Sequence, residues 1–305
     1  MSMVWHCGEP LGEQRAMERG RGIAPLDRDV ISVAGADRLS FLHSLTTTSV
    51  MGLEPGRGVT TLVLSPTGRI EHVLHGVDDG EAFLAWTEPG AGEPLTAWLN
   101  SMRFMLDIDA RVRDDLQVVW VGEAEGTIDA VAERASEVGK GRELFVRADA
   151  DLPATTAGEW AFEAMRIAAG VPRIGIDTDD VTLPNELGLY ATEVNKGCYR
   201  GQEAVAHVHN LGRPPRRLVR LLLDGDEERL PGPGTSITLD EVEIGKVTSA
   251  AYHHELGGIA LGLIKRATPV GATLLADGIP AGQDAIVDPD IGDHFTADRG
   301  LRSLL

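Results

Sequence analysis

The sequence of 305 residues predicts an α+β protein that ends in a separate, small all-β barrel. Up to about residue 210, helical patterns return between short strand patterns, which is typical of helices packed on antiparallel sheets. From about Arg217 onward, every apolar stretch is short and bounded by Gly or Pro, which indicates a barrel or sandwich. The segment "HNLGRPPRR", with Pro214 and Pro215, lies between the α+β pattern and the all-β pattern. We therefore expect domains at 1–212 and 213–305.

The first elements can be assigned from periodicity and turn residues. The stretch "ISVAGADRLSFLHSL" predicts a strand, a turn at Gly35 and a helix with Asp37 near its N-cap. Three apolar stretches from Val59 to Thr87 are separated by "SPTG" and "DDG", which predicts a β-meander. Helices that return onto such strands favour two α+β layers side by side.

The remaining elements follow the same rules. We expect the five tryptophans and the pair Met102 and Met105 to fill the core. The later predicted elements are a helix ending near Met102, strands in "LDIDARVRDD" and "LQVVWVG", a helix from about Thr127 to Val138, a strand in "ELFVRA", a helix from about Trp160 to Ala169, and barrel strands in "RLVRLLL", "TSITL", "VEIGKVTSAAY", "GIALGLI" and "ATLLA".

Charge and cysteine content argue against several classes of protein. With 47 acidic and 28 basic side chains, the net charge is −19, which disfavours nucleic acid or an anionic membrane as partner. Cys7 and Cys198 could form at most one disulfide, which fits a reducing compartment. The start "MSMVWHCGEPLGEQR" has no apolar signal region, and no apolar run approaches the roughly 18 residues of a membrane span. We expect a cytoplasmic protein.

The segment "NKGCYRGQE" carries the strongest chemical signal. In an extended chain, Lys196, Cys198 and Arg200 would share one face. Two cations beside a thiol favour the thiolate and lower its pKa below the free value of about 8.5. Gly197 and Gly201 admit unusual backbone conformations and let a ligand approach the main chain. The alternative is a small, buried and inert cysteine.

A metal site built on this segment is a weaker interpretation. Cys198, His207 and His209 offer three soft ligands, and a strand would place the two histidines on one face. However, no CxxC pair is present, and a self-contained four-iron cluster needs about four thiolates. We therefore predict no metal ligands in this chain.

Glu186 is a candidate ligand group in "LPNELGLYATEV", a stretch with turn residues and little helical character. A carboxylate in a pocket can accept two parallel N–H bonds from a planar amidine-like edge, such as the 2-amino-4-oxo face of a pterin. The alternative is an ordinary solvated glutamate.

Together these segments resemble a known family. The stretch "NKGCYRGQEAVAHVHNLGRPPRRLVRL", preceded by "MRIAAGVPRIGID" and "LPNELGL", is similar to the signature of the YgfZ-type folate-binding proteins, which are linked to iron–sulfur cluster assembly and repair. "VAGADRLSFLHSLTT" and "LSPTGRI" resemble the wider glycine cleavage T-protein (aminomethyltransferase) superfamily. The resemblance implies a ring of two α+β layers with a C-terminal β-barrel and tetrahydrofolate, or a related reduced folate, in a central channel.

The resemblance also implies roles for particular residues. Glu186 matches the superfamily's pterin-binding glutamate, and Cys198 matches the functional cysteine of the motif, with Lys196 as its catalytic neighbour. Relatives usually carry Arg where this chain has His207. The remaining motif residues, taken as folate-binding, are Tyr199, Arg200, Gly201, Gln202 and Glu203. The expected function is an accessory protein for iron–sulfur proteins that binds a reduced folate.

A folate-dependent one-carbon transferase or demethylase is the alternative. T-proteins resemble this chain at "GRIEHVLH", where they carry a catalytic carboxylate in a "GxIxDD" stretch. Here His72 and Val73 occupy the two Asp positions, and Glu71 falls one residue early, which on a strand points it to the other face. Acid–base help from a carboxylate is then missing, and His72 is the remaining candidate base. A third possibility is a folate-binding scaffold with an inert thiol.

The anionic glutamate tail of a folate needs a basic contact. Four arginines follow the motif and could supply it, although a solvated hinge is an equal alternative. They are Arg213, Arg216, Arg217 and Arg220.

Overall fold

The computed structural model describes residues 4–211, 213–224 and 229–289. The helices are α1 (Pro10–Glu18), α2 (Arg38–Leu45), α3 (Gly92–Met102), α4 (Glu159–Ala169) and α5 (Gln202–Leu211), with a short 3-10 helix at Pro184–Leu187. The strands are β1 (Ile23–Leu26), β2 (Asp29–Ala34), β3 (Gly58–Leu64), β4 (Ile70–Asp78), β5 (Ala82–Thr87), β6 (Asp109–Val112), β7 (Leu116–Gly122), β8 (Ala132–Ala135), β9 (Gly141–Arg147), β10 (Arg216–Leu223), β11 (Ser236–Leu239), β12 (Val242–His253), β13 (Gly257–Lys265), β14 (Leu274–Ala276) and β15 (Ile279–Ala285).

Two antiparallel sheets form the α+β part. One has five strands in the order β3-β4-β5-β2-β6, and the other has four in the order β1-β7-β9-β8. The predicted meander is β3 to β5, and the predicted strand–turn–helix unit is β2 and α2 with Asp37 as the N-cap. The α+β class with two layers is confirmed.

The two sheets share one core. Trp86 on β5 donates from its indole nitrogen to Glu143 Oε2 on β9 at 2.7 Å, and Arg134 on β8 donates to the same oxygen at 2.6 Å. All three side chains are buried, so the polar contact joins the sheets inside apolar surroundings, where an unpaired charge would be costly. The shared apolar cluster includes Met17, Leu84, Val118, Trp120, Phe145 and Phe162.

The C-terminal part is a closed barrel in the order β10-β13-β12-β11-β14-β15. The five barrel strands predicted from the sequence are all present, and β15 is an additional one. The sequence of β15, "IPAGQDA", contains a proline and little apolar alternation, so the pattern does not predict a strand there. The proposed domain boundary at residues 212 and 213 stays a prediction.

Arg166 on α4 connects the α+β layers to the barrel. Its guanidinium donates to Asp177 at 2.6 Å and to the Ser249 hydroxyl on β12 at 3.0 Å. Arg166 and Asp177 are fully buried, and Thr248 on β12 donates to the same carboxylate at 2.6 Å. The junction is therefore a satisfied buried ion pair between a helix, a loop and a barrel strand.

Two sequence-based predictions are wrong. The helix from Thr127 to Val138 is absent, and Ala132–Ala135 instead form β8, because pairing with β9 and burial of Arg134 override helical propensity. Met102 and Met105 are exposed rather than core residues, with Met105 86% exposed, because Met102 ends α3 and Met105 lies in the segment after it. Trp5 and Trp160 are also exposed, whereas Trp86 and Trp120 are buried as expected.

Among the described residues, no helix has the length and apolar character needed to cross a membrane. The cytoplasmic location stays a prediction.

We expect Asp177→Ala to lower the free energy of unfolding by about 3 kcal/mol, because it leaves the buried Arg166 guanidinium short of a partner. Urea denaturation measures the effect as a lower midpoint. Asp149→Ala is the matched control, since Asp149 forms an exposed pair with Arg147 and should leave the midpoint unchanged. Equal midpoints for the two variants would contradict the assigned role of the junction.

Candidate functional site

A cavity of about 550 Å³ opens beside the N-terminal end of β4. Pairing of β4 with β5 begins at His75, so residues 70–73 of β4 are not covered by β5. The end of β5, the segment between β5 and α3, and the loop at 173–180 form the other walls. Its volume falls within the range of small-molecule sites. The polar lining residues are Glu71, His72, Thr87, Glu88, Arg173, Thr178, Asp179 and Asp180.

The cavity lining is strongly acidic. Four carboxylates line it beside one arginine, Arg173. That arginine is committed to Glu88 at 3.0 Å and to Glu163 at 3.0 Å. Burial alone would lower the pKa of Arg173, but the bonds to Glu88 and the Glu163 charge raise it above its ordinary value. The remaining negative charge favours contact with the N–H donor groups of a ligand rather than with its anionic groups.

Glu186 lies in the short 3-10 helix, is completely buried and is not one of the described residues that line the cavity. Its carboxylate accepts bonds from the Leu183 backbone N–H at 3.0 Å and from Arg216 Nε and Nη2 at 2.8 and 3.0 Å. The planar two-pronged donor expected from a ligand is thus supplied here by Arg216. The same guanidinium binds Asp179, a lining residue, at 2.6 and 3.0 Å.

Arg216 links the buried Glu186 to Asp179 in the cavity wall, because its guanidinium binds both carboxylates. The bond from Arg216 holds the pKa of the Asp179 carboxyl well below its usual range. Asp179 also accepts from the Thr182 hydroxyl at 2.6 Å. Glu186, Arg216 and Asp179 therefore form one continuous chain of bonds from the core to the lining.

The motif segment at 195–201 is irregular, with turns at 195 and at 200–201 and no strand, so the extended strand considered for it is not found. The Lys196 ammonium donates to the carbonyls of His43 and Thr46, and to Thr48 at 3.3 Å. Burial lowers the pKa of Lys196 to about 8, so the amine is mostly charged at neutral pH. Arg200 points elsewhere, to Glu71 at 3.0 Å and over the Trp98 ring at 5.3 Å.

Gly201 packs the motif against the "SPTG" turn. Its φ is +82°, and a Cβ at this position would meet the Ser65 carbonyl oxygen at 2.5 Å and the Gly68 Cα at 2.9 Å. Only glycine fits such a close approach of two backbones. The space beside Gly201, which the sequence analysis assigned to a ligand, is thus filled by the backbone of the turn that precedes β4.

The other motif residues divide between the surface and the core. Cys198 is exposed and free, as is Cys7. Tyr199 is buried, and its hydroxyl has no hydrogen-bond partner among the described residues. Gln202 and Glu203 begin α5, where Glu203 is exposed. Cys198 is not one of the described residues that line the cavity, whereas Arg200 reaches it through Glu71.

His207 and His209 do not share a strand face, because they lie on α5, where side chains two residues apart point in different directions. Within the described ranges, they form no ligand cluster with Cys198. The four arginines after the motif are likewise dispersed. Arg217 is buried inside the barrel, where it donates to Gln283 at 2.6 Å, and Arg220 pairs with Asp284 at 2.7 Å.

Glu71 and His72 both line the cavity, although they alternate along β4. The uncovered edge of the strand exposes both sides of the chain here. Burial lowers the pKa of the half-buried His72, which keeps its imidazole neutral at neutral pH. The sequence did not indicate Glu88, Asp179 and Asp180, which belong to none of the quoted motifs, and it indicated no role for Arg173 within "MRIAAGVPRIGID".

Comparisons with known proteins agree with this architecture. Residues 216–287 match the family described as the glycine cleavage T-protein C-terminal barrel domain. The glycine cleavage system aminomethyltransferase T from Bartonella henselae superposes with a TM-score of 0.75 at 17% identity, over 95% of this chain and 91% of that one. The chain has the glycine cleavage T-protein fold.

Curated relatives are distant but extensive. An aminomethyltransferase from Thermotoga neapolitana is 24% identical over 80% of this chain and 78% of its own length. A chloroplastic protein of Arabidopsis thaliana, classed provisionally as a transferase, is 26% identical over 80% of this chain but only 65% of its own length. An uncharacterised Haemophilus influenzae protein is 26% identical over 72% of this chain and 81% of its own. These similarities support the T-protein superfamily, and the YgfZ-type assignment stays a prediction.

We expect Lys196→Met to loosen the motif and the end of α2 together, because three carbonyls lose a shared cationic donor. Amide hydrogen exchange at 43–50 and 195–201 should be faster by about tenfold or more. Lys140→Met is the control, since Lys140 is exposed and should change neither segment. Unchanged exchange in the first variant would show that Lys196 does not hold the loop.

Proposed function

We propose that this protein binds a reduced folate, with tetrahydrofolate as the representative ligand, in the acidic cavity between β4, β5 and the loop at 173–180. The supporting observation is that cavity itself: about 550 Å³, lined by four carboxylates, in a T-protein fold. A pterin presents its 2-amino group and ring N–H on one edge, and a carboxylate accepts both in parallel.

Glu71 and Asp180 are the lining carboxylates best placed to accept these donors. Glu88 and Asp179 are already held by arginines, whereas Asp180 is exposed and without a side-chain partner among the described residues. Glu71 shares its charge with Arg200 in a partly exposed pair, which is weak enough to rearrange. Glu186 then contributes as a positioning residue, because it fixes Arg216 and through it Asp179.

We further propose the role of an accessory protein in iron–sulfur cluster assembly or repair, with Cys198 as the group that contacts a client protein, a cluster or an oxidised adduct. The thiol is exposed on a loop held at several points, by Lys196, Arg200 and Gly201. A fixed, accessible thiol suits a transient contact with a partner. The folate-binding roles of Tyr199, Gln202 and Glu203 remain proposals.

A one-carbon transferase is the second candidate, and one observation favours it. His72 lines the cavity with a lowered pKa, so a neutral imidazole is available as a general base at pH 7. This function predicts turnover when an amine donor and tetrahydrofolate are supplied, and loss of turnover in His72→Ala.

Calorimetry with tetrahydrofolate tests the binding site. We expect Glu71→Gln and Asp180→Asn to weaken binding by about tenfold each, because each removes a charged acceptor for pterin N–H groups. Glu186→Gln should weaken binding indirectly, since Arg216 loses a charged partner. Asp149→Asn, on the exposed pair after β9, is the control. Absence of binding to the wild type, or equal affinity in every variant, would overturn the proposal.

Complementation tests the role of the thiol. In a strain lacking the protein, we expect Cys198→Ser to fail to restore the activity of iron–sulfur enzymes, whereas Cys7→Ser restores it, because both thiols are exposed but only one lies in the motif. Calorimetry on the same variants should show unchanged folate affinity. Full restoration by Cys198→Ser would leave the inert-thiol scaffold as the better account.

A further inference from the structure

His254 stands out as a buried histidine with an unused nitrogen. It lies in the turn between β12 and β13, and its side chain is only 3% exposed. Its Nε2 atom is buried and makes no hydrogen bond to any described residue. A buried ring nitrogen without a partner is costly, so its surroundings should contain the group that satisfies it.

Glu18 faces this nitrogen, and Glu255 lies close to the imidazole ring. Glu18, the last residue of α1, has Oε2 at 3.5 Å from His254 Nε2. Glu255 follows in the same turn, and one oxygen of each carboxylate and a ring nitrogen all lie within 4.8 Å of one another. In the part of the chain that the structure describes, neither carboxylate has an Arg or Lys partner. The cluster thus combines one imidazole with two negative charges that no basic side chain balances.

The backbone around the cluster is held in place independently of it. The buried Gln14 on α1 donates to the Tyr252 carbonyl at 2.9 Å and accepts from the His254 N–H at 2.8 Å. His253 Nδ1 accepts from the backbone N–H groups of Glu255 and Leu256, both at 3.2 Å. The helix end and the turn therefore keep their separation when the carboxylates move.

We propose that Glu18, His254 and Glu255 form a binding site for a divalent transition-metal cation. Imidazole nitrogen and carboxylate oxygen are ligands that Zn²⁺, Mn²⁺ and Fe²⁺ accept, at about 2.0–2.2 Å in the case of Zn²⁺. Two ligands at those distances from one ion lie at most about 4.4 Å apart. Glu18 is 47% exposed and Glu255 is exposed, so rotation of their side chains closes the remaining gap.

A cation at this place would join α1 to the barrel hairpin. It would supply the partner that Nε2 lacks and neutralise two acidic groups in a chain of net charge −19. Because the ion binds the folded arrangement of distant segments, it should stabilise the native state in proportion to its free concentration. The site is separate from the cavity beside β4, whose lining contains none of the three residues.

Titration with Zn²⁺ alone, followed by calorimetry and by thermal unfolding, tests the site on the full chain. The wild type should bind one equivalent that is lost or weakened at least tenfold in His254→Ala, and the same variant should lose the Zn²⁺-dependent rise in Tm. Glu18→Gln and Glu255→Gln change exposed side chains and should fold normally, so they test the site even if His254→Ala does not.

The controls address the other soft ligands of the chain. His209→Ala on α5 and Cys198→Ser should retain the equivalent that His254→Ala loses, because both residues are exposed and distant in sequence from the cluster. Co²⁺ in place of Zn²⁺ distinguishes the ligands by absorption, since a thiolate adds a charge-transfer band that nitrogen and oxygen ligands lack. Zn²⁺ binding of equal strength in the wild type and in all three cluster variants would overturn the proposal.

Discussion

The loop between α4 and the short 3-10 helix depends on buried carboxylates rather than on regular structure. Asp177 accepts bonds from Arg166, from the Arg173 backbone N–H and from the hydroxyls of β12, and Glu186 accepts both prongs of Arg216. Neither carboxylate is exposed to solvent. Because this loop forms one wall of the cavity, the shape of the ligand site follows from ion pairs that also join the α+β layers to the barrel. Stability and site geometry are therefore difficult to change separately here.

The motif segment has the same dual character. Its conspicuous residues are occupied by structural contacts: Lys196 by carbonyls at the end of α2, Arg200 by Glu71, and Gly201 by the backbone of the "SPTG" turn. These contacts leave Cys198 exposed at the surface while its neighbours are fixed. A basic residue next to a cysteine in sequence thus need not act on the thiol. In this segment the cations hold the loop, and the proposed contact of Cys198 with a partner rests on the exposure of its thiol.

The fold could be predicted largely from local patterns, whereas the site could not. Turn residues and apolar alternation identified the meander and five barrel strands, because those signals lie within ten or so residues. The helix expected from Thr127 failed because pairing with β9 outweighed local propensity. Glu186 was recognised as a carboxylate suited to a planar donor, but the donor proved to be Arg216, whose proximity only the folded chain establishes. The partners of Lys196 and Arg200 are equally remote in sequence, as are the two halves of the cluster at Glu18 and His254.

Ligand binding and general-base catalysis require different properties of the cavity carboxylates. A carboxylate that recognises pterin N–H groups has only to remain ionised, which an adjacent arginine favours, as it does for Asp179. A general base has to release its partner and take up a proton near neutral pH, which the same arginine opposes. At the positions where aminomethyltransferases are expected to carry aspartates, this chain has His72 and Val73. Among the described lining residues, His72 has a lowered pKa that leaves an unprotonated ring nitrogen at neutral pH, whereas the carboxylates are suited to accept N–H donors.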